Sequence, residues 1–394
     1  AIELASPDGV LHFSFQATDS GLYYNVTYRE TKIIQRSPLS LTFQGTGEFG
    51  KNCLTQPPLY RQGEDNYELV VGKTRSVHDF YREVEIPLEE RAGQHRRVNI
   101  LVRLFNDGLA FRYLLPQQPN WSSYNLTDEN TCFRFIGDPF VLASFLPGYT
   151  TSHEGRYTRV PFSKAPHDTL MDMPVLMEFG GEGGHVYVAV TEAELVDYAG
   201  MYLVRHGDCL KSELSPLPGQ PSSQVPAGRA SQVADRSSLK VRASLPHRTP
   251  WRVLLISDRP GSLLESNILT SLNEPCALKD VSWIRPGKTD FHWWNGDIVP
   301  DTTFSPGINF ETNQYYIDFC ARNGLAYHSI IGFGGVAWYR NDGVSYMPGP
   351  NSDVTHPVPG LDIKQLSDYA EKKGVGIRVW VHWKALYPMI DKAF

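Results

Sequence analysis

The sequence predicts a β-sandwich half followed by a parallel α/β half. Two observations carry this reading. Apolar residues alternate with period two up to about Gly200, with turn signals between the runs. After about Ser266 the period changes, and strand-like and helix-like stretches alternate. The composition agrees with both. The 394 residues are 41% hydrophobic and 20% charged, which excludes a disordered or fibrous chain. At ~100–200 residues per domain the length suggests two or three domains.

The β elements come first. Leu11, Phe13 and Phe15 alternate with polar residues, Asp19-Ser20-Gly21 turns the chain, and Tyr24, Val26 and Tyr28 alternate on the return. Val98, Ile100, Val102 and Leu104 precede Asn106-Asp107-Gly108, and Phe111, Tyr113 and Leu115 follow. Asp-Gly is expected to supply the positive φ of a tight hairpin turn. Residues 215–236 are rich in Pro, Ser, Gly and Gln and read as an exposed loop. Strands are expected again at 238–241 and 251–257.

In the second half a strand is expected at 289–295, with two adjacent tryptophans. Thr312 can cap a helix with Tyr316, Phe319 and Cys320 on one face, ended by Gly324. A second strand follows at 326–333, then a long loop with Gly334-Gly335, Trp338, Tyr339 and Tyr346. Asp362 caps another helix, with Ile363, Leu366 and Tyr369 on one face and Gly374 at its end, before a third strand at 376–383. A full (β/α)8 barrel takes ~250 residues. Residues 279–394 are too few for one and stop in a helix-like pattern. The expectation is an N-terminal piece of a longer protein; a small doubly wound domain is the alternative.

Lys and Arg total 37 against 43 Asp and Glu, for a net charge of −6 with no basic block. Nucleic acid is therefore not an expected partner. No apolar run reaches ~18 residues, so no membrane span is expected. Residues 1–7 lack the charged and apolar regions of a signal peptide, which implies a removed leader or a fragment. The five cysteines are far apart and without CxxC spacing, which argues against a zinc knuckle or a disulfide framework.

Trp283-Ile284-Arg285-Pro286-Gly287-Lys288-Thr289, running into Trp293-Trp294-Asn295, resembles glycoside hydrolase family 97. Ser6-Pro7-Asp8-Gly9 resembles the family's opening, and Asn106 to Tyr113 its N-D-G-x-A-F-R-Y segment. Thr191 to Tyr198 looks like T-E-A-x-L-x-D-Y, and Val381-His382-Trp383 like a strand-end H-W segment. The resemblance implies an N-terminal β-supersandwich over 1–278 and the first three strands of a truncated (β/α)8 TIM barrel over 279–394. It implies a calcium-dependent, exo-acting α-glycosidase that takes an oligosaccharide or α-glycoside, either α-galactoside or α-glucoside. The Pro-Gly-Lys-Thr to Trp-Trp-Asn stretch looks closer to the retaining branch. Export by a bacterium, to the periplasm or medium, is also implied. The catalytic carboxylates are expected beyond Phe394, so this piece alone should be inactive. A non-catalytic carbohydrate-binding protein is the alternative, suggested by the aromatic content.

By that resemblance Glu192 is the calcium ligand; the plain alternative is a solvated turn carboxylate. Calcium takes six to eight oxygens, so one Glu needs further ligands. Asp197 reads as a structural hydrogen-bonding residue. His382 is expected at the C-terminal end of a barrel strand, where it could meet a sugar hydroxyl or be a core histidine. Its strand should bury Ile377, Val379 and Val381 under the outer helices. Trp293 and Trp294 offer rings for stacking on sugars, and Asn295 an amide. On a strand only one tryptophan would face the site. Lys288 matches a family position but is also an ordinary solvated residue type. Trp338 and Tyr339 could form an aromatic wall, or simply anchor a surface loop. Glu154, beside His153, is either a reach into the site or part of a polar loop. Two departures stand out. His292 occupies a place where Asp is frequent in the family, and no carboxylate follows the second strand at Gly334-Gly335. Both would remove negative charge near the pocket.

Overall fold

In the computed structural model, residues 1–181, 184–218 and 238–394 are described, and the chain divides into two units, Ala1–Lys279 and Asp280–Phe394. The first unit is antiparallel β-sheet. Leu11–Thr18 pairs with Gly21–Tyr28 in the register Leu11↔Tyr28 to Thr18↔Gly21. Leu11, Phe13, Phe15, Leu22, Tyr24, Val26 and Tyr28 are all buried, as period two requires when one sheet face is covered. This hairpin sits in a four-stranded sheet with Ile2–Ala5 and Thr31–Leu39.

The second hairpin, Arg97–Phe105 with Gly108–Leu115, lies within an eleven-stranded sheet. Leu101, Phe105 and Ala110 are buried too, so both of its faces are covered. The turn departs from expectation. None of Asn106, Asp107 and Gly108 has a positive φ. Gly108 is needed for a close approach instead: a Cβ there would lie 2.4 Å from the Leu254 carbonyl oxygen. Trp251–Ser257 forms as expected, between Gly108–Leu115 and Gly184–Ala193. The strand expected at 238–241 starts later, as Val241–Ser244. Of the expected loop, residues 215–218 are neither helix nor strand, and 219–236 lie outside the described residues.

The cysteine reading is corrected. Cys132 and Cys209 form a disulfide across a sequence separation of 77 residues. Pairing of Cys132–Phe133 with Cys209–Leu214 brings the two together, which sequence spacing could not show. Cys53, Cys276 and Cys320 are free.

The second unit places Tyr327–Ile330 parallel to Gly376–Val379, in the register Tyr327↔Gly376 to Ile330↔Val379. Helix Phe310–Arg322 precedes the first strand, and helix Ile363–Lys372 lies between the two. Their inner faces, Ile317 and Cys320 with Leu366 and Ala370, share one core with Ile330, Trp338 and Tyr339. Asp362 caps its helix as expected, accepting the Gln365 N–H at 3.1 Å. Asn309, not Thr312, caps the other, and Phe319 faces outward at 40% exposure.

Three strands are shorter than expected. Residues 289–295 make one parallel bridge, Thr289↔Tyr327, and then a 3-10 turn over His292–Asn295, ended by Gly296 at φ 77°. The stretch 326–333 breaks after Ile330, and Gly332–Phe333 pairs with Val336–Ala337 instead. The third strand ends at Val379, and Trp383 starts a short helix. Val379 is 43% exposed, whereas Ile377 and Val381 pack on the core. Among the described residues Gly376–Val379 has a single strand neighbour.

Candidate functional site

Glu192 lies on Gly184–Ala193, directly opposite Arg252 in the ladder. Arg252 is fully buried. Its guanidinium grips Glu129 with two bonds, Nε to Oε1 at 2.7 Å and Nη2 to Oε2 at 2.6 Å. Its Nη1 reaches Glu192 Oε2 at 2.7 Å. Glu192 Oε1 accepts the Met201 N–H at 3.1 Å. Tyr198 Oη and Thr131 Oγ1 each donate to Glu129 at 2.9 Å. Burial pushes the Glu129 carboxyl up, but the Arg252 guanidinium outweighs it and holds it below the usual range. For Glu192 burial dominates and raises the value, since Arg252 is shared with Glu129.

One guanidinium thus faces two carboxylates, leaving excess negative charge at Glu192, whose side chain is 10% exposed. A carboxylate offers about four lone-pair sites. Glu192 uses two of them on the bonds above, so it fits as one oxygen ligand to a hard cation. It is not the solvated carboxylate of the plain alternative.

Glu194, in the same motif, is a residue the sequence reading passed over. It is buried, accepts from Arg112 Nη1 at 2.5 Å, and pairs with Arg248 Nη2 at 2.7 Å. The T-E-A-E and A-F-R-Y segments therefore meet through an ion pair. Asp197 is exposed, with φ 51°. Glu154 is exposed, beside a His153 ring that lies 3.0 Å from Asp172.

In the second unit Asp290, His292, Trp294, Asn295, Tyr315 and Tyr316 line a cleft of about 490 Å³. Because 292–295 is a 3-10 turn, the alternation argument for the tryptophans fails. Both are solvent-facing, Trp293 at 50% and Trp294 at 80%. His292 is buried, stacks on Tyr316 with centroids 4.6 Å apart, and bonds Asp297 Oδ1 through Nδ1 at 2.6 Å. Burial pushes its imidazole below the ordinary value, against the opposing pull of Asp297.

The carboxylate missed by the sequence reading is Asp297. Its Oδ1 holds His292 and its Oδ2 accepts the Gly334 N–H at 2.8 Å. It serves both segments where negative charge had been expected to be lost. Behind it, Asp290 Oδ2 holds His328 Nδ1 at 2.8 Å and its Oδ1 accepts the Ser329 N–H at 2.8 Å. His328 Nε2 faces Asn313 Oδ1 at 3.0 Å. The Asn313 amide nitrogen donates to the Asn309 carbonyl, which fixes that orientation. Alternation gives no signal for such a network, because its members come from a loop, a helix and a strand.

Lys288 is exposed, and its backbone carbonyl accepts the Tyr327 N–H. Trp338 is not an exposed aromatic wall but anchors its loop from within. It is 5% exposed, and its indole N–H donates to the Trp380 carbonyl at 2.7 Å. Tyr339 is fully buried beside it. His382 is half-buried and caps the short helix, with Nδ1 accepting the Lys384 N–H at 3.2 Å.

Comparison with known proteins bears on both units. Residues 4–275 match the family described as Glycosyl-hydrolase 97 N-terminal, and 293–394 match Glycoside hydrolase 97. A retaining alpha-galactosidase of Bacteroides thetaiotaomicron is 26% identical over 97% of this chain and 56% of its own length. A probable retaining alpha-galactosidase of Streptomyces bingchenggensis is 24% identical over 94% of this chain and 50% of its own. The fold is shared with a glycoside hydrolase family 97 enzyme of Pseudoalteromonas sp. strain K8 in complex with panose. That match has a TM-score of 0.82 and 24% identity, over 100% of this chain and 56% of the other. The chain spans about half the length of the curated relatives it matches. Since the family match takes in most of the sheet unit and nearly all of the α/β unit, this chain belongs to glycoside hydrolase family 97.

Proposed function

We propose that this protein is an exo-acting α-glycosidase that hydrolyses α-galactosides with retention of configuration and uses calcium. The observation that carries the reading is the 26% identity to a retaining alpha-galactosidase across 97% of the chain. The parallel strand pair with an intervening helix supports the start of a (β/α)8 barrel, and antiparallel sheets that share one core support a β-supersandwich.

Retention needs two carboxyl groups about 5–5.5 Å apart, one attacking the anomeric carbon and one protonating the leaving oxygen. No residue of this chain is assigned either role. Its part is binding and orientation. Trp293 and Trp294 present aromatic faces to a sugar, and Asn295 adds an amide donor and acceptor. His382 and Lys288 supply further polar contacts to hydroxyls. Trp338 acts indirectly, by fixing the backbone at Trp380 two residues before His382. Glu192 supplies one carboxylate to calcium, which would polarise bound oxygen and fix its ligands. The Cys132–Cys209 disulfide supports export to an oxidising compartment, the periplasm or medium.

The test is hydrolysis of p-nitrophenyl α-galactoside and α-glucoside by the whole protein, with and without EGTA and with this chain alone as the control expected to be inactive, followed by NMR of the first-formed anomer. Faster turnover of the galactoside, release of α-galactose and loss with EGTA are expected. A preference for glucoside, first release of the β anomer, or indifference to EGTA would each overturn the corresponding part. Sugar binding without turnover would favour a carbohydrate-binding protein.

A further inference from the structure

Apart from the Glu192 cluster and the cleft, the β unit carries a trio of His167, Asp168 and His206. His206 ends the strand Met201–His206 and lies opposite Cys209 in its hairpin. The Cys132–Cys209 disulfide ties that hairpin to Cys132–Phe133. His167 bridges Arg205 in parallel, and the Asp168 N–H donates to the Arg205 carbonyl at 2.9 Å. The backbone therefore fixes all three positions. Asp168 has φ 48°, an uncommon conformation for a non-glycine residue. The carboxylate faces both rings. Oδ1 is 2.9 Å from His206 Nδ1, and Oδ2 is 3.0 Å from His167 Nδ1. The ring centroids are 5.2 Å apart, and the three donor atoms lie within 4.8 Å of one another.

Two imidazoles and a carboxylate suit a borderline transition ion, whereas calcium prefers oxygen ligands alone. A tetrahedral ion with bonds of about 2.0–2.1 Å sets its ligand atoms roughly 3.3 Å apart. Each nitrogen is within a few tenths of that spacing from its own carboxylate oxygen, so the ion is met either by both oxygens or by one after the carboxylate turns.

We propose that His167, Asp168 and His206 bind one divalent transition-metal ion of the Zn²⁺ type. The ion would clamp residues 167–168 onto the disulfide-tied hairpin. Ligation through Nδ1 moves each ring proton to Nε2, so two neutral histidines release no proton. At His167 this gives up the Gly207 N–H bond to Nε2 at 3.2 Å. Gly207 lies in an exposed turn, where water replaces that bond.

The test is calorimetric titration with ZnCl₂ alone, at pH 7.5, of the full chain with its disulfide intact. The chain carries Cys276→Ser, which removes the exposed thiol. One equivalent of zinc should bind, roughly tenfold or more weaker in Asp168→Asn and in His206→Gln. His153→Gln, at the separate His153–Asp172 pair, should bind like the parent. Excess CaCl₂ should not displace the zinc. Circular dichroism and Tm without metal check that each variant folds; if one does not, His167→Gln takes its place. Absence of zinc binding by the parent would overturn the proposal. So would parent-like binding by the folded Asp168 and His206 variants, or displacement by calcium.

Discussion

Each unit buries a carboxylate network, and the two are neutralised differently. In the β unit Arg252 faces Glu129 and Glu192, and a guanidinium stays charged at any working pH. In the α/β unit the partners of Asp290 and Asp297 are the imidazoles of His328 and His292. The first network sits in paired strands, where the Glu192↔Arg252 register sets the geometry. The second joins residues from different elements under an open cleft. A permanent cation thus holds the sheet interior, while imidazoles hold the carboxylates behind the cleft.

The largest expected effect breaks the first network. Arg252→Met leaves Glu129 buried without its cation and should cost about 3–5 kcal/mol. Hydrogen exchange of the full chain in urea should show this in peptides covering 251–257, with little change at 327–330. A loss below about 1 kcal/mol there would mean that the pair is not what holds those strands. Asp290→Asn comes next. It removes the charge facing His328 and one acceptor, and should cost about 1–3 kcal/mol, read at 327–330. Equal protection of parent and variant would show that His328 does not need the carboxylate.

The smallest effect sharpens the contrast through pH. The folded His292 value lies below its ordinary 6.5, so the unfolded chain binds more protons in that window. Its contribution is present above pH 6.5 and declines as pH falls through the folded value. Glu129 lies below its ordinary 4.5, so its contribution is lost only below that pH. Exchange measured from pH 7 to 4 should show the His292 dependence in the parent and not in His292→Gln. An identical slope in both would place the titration elsewhere.

The two hairpins were readable because alternation reports a covered sheet face directly, as at Phe13 and Val102. Asp362 was readable as a cap because its acceptor serves an amide three residues on. The strand at 289–295 was misread, since an apolar aromatic run looks alike in a strand and in a 3-10 turn closed by Gly296. Of the site, Glu192 was legible only through a motif. Its partner Arg252 is 60 residues away and carries no local signal. Asp297 escaped notice because its role is a bridge between His292 and Gly334.

Sequence alone was enough for the change from β to α/β, the two hairpins, the Asp362-capped helix and the family. Those features depend on neighbours within a few residues or on whole motifs. The Cys132–Cys209 bond, the closeness that requires Gly108, the burial of Trp338 and the meeting of charges are tertiary outcomes. These depend on pairings between segments far apart in the chain, where strand register and packing, not local pattern, set the distances.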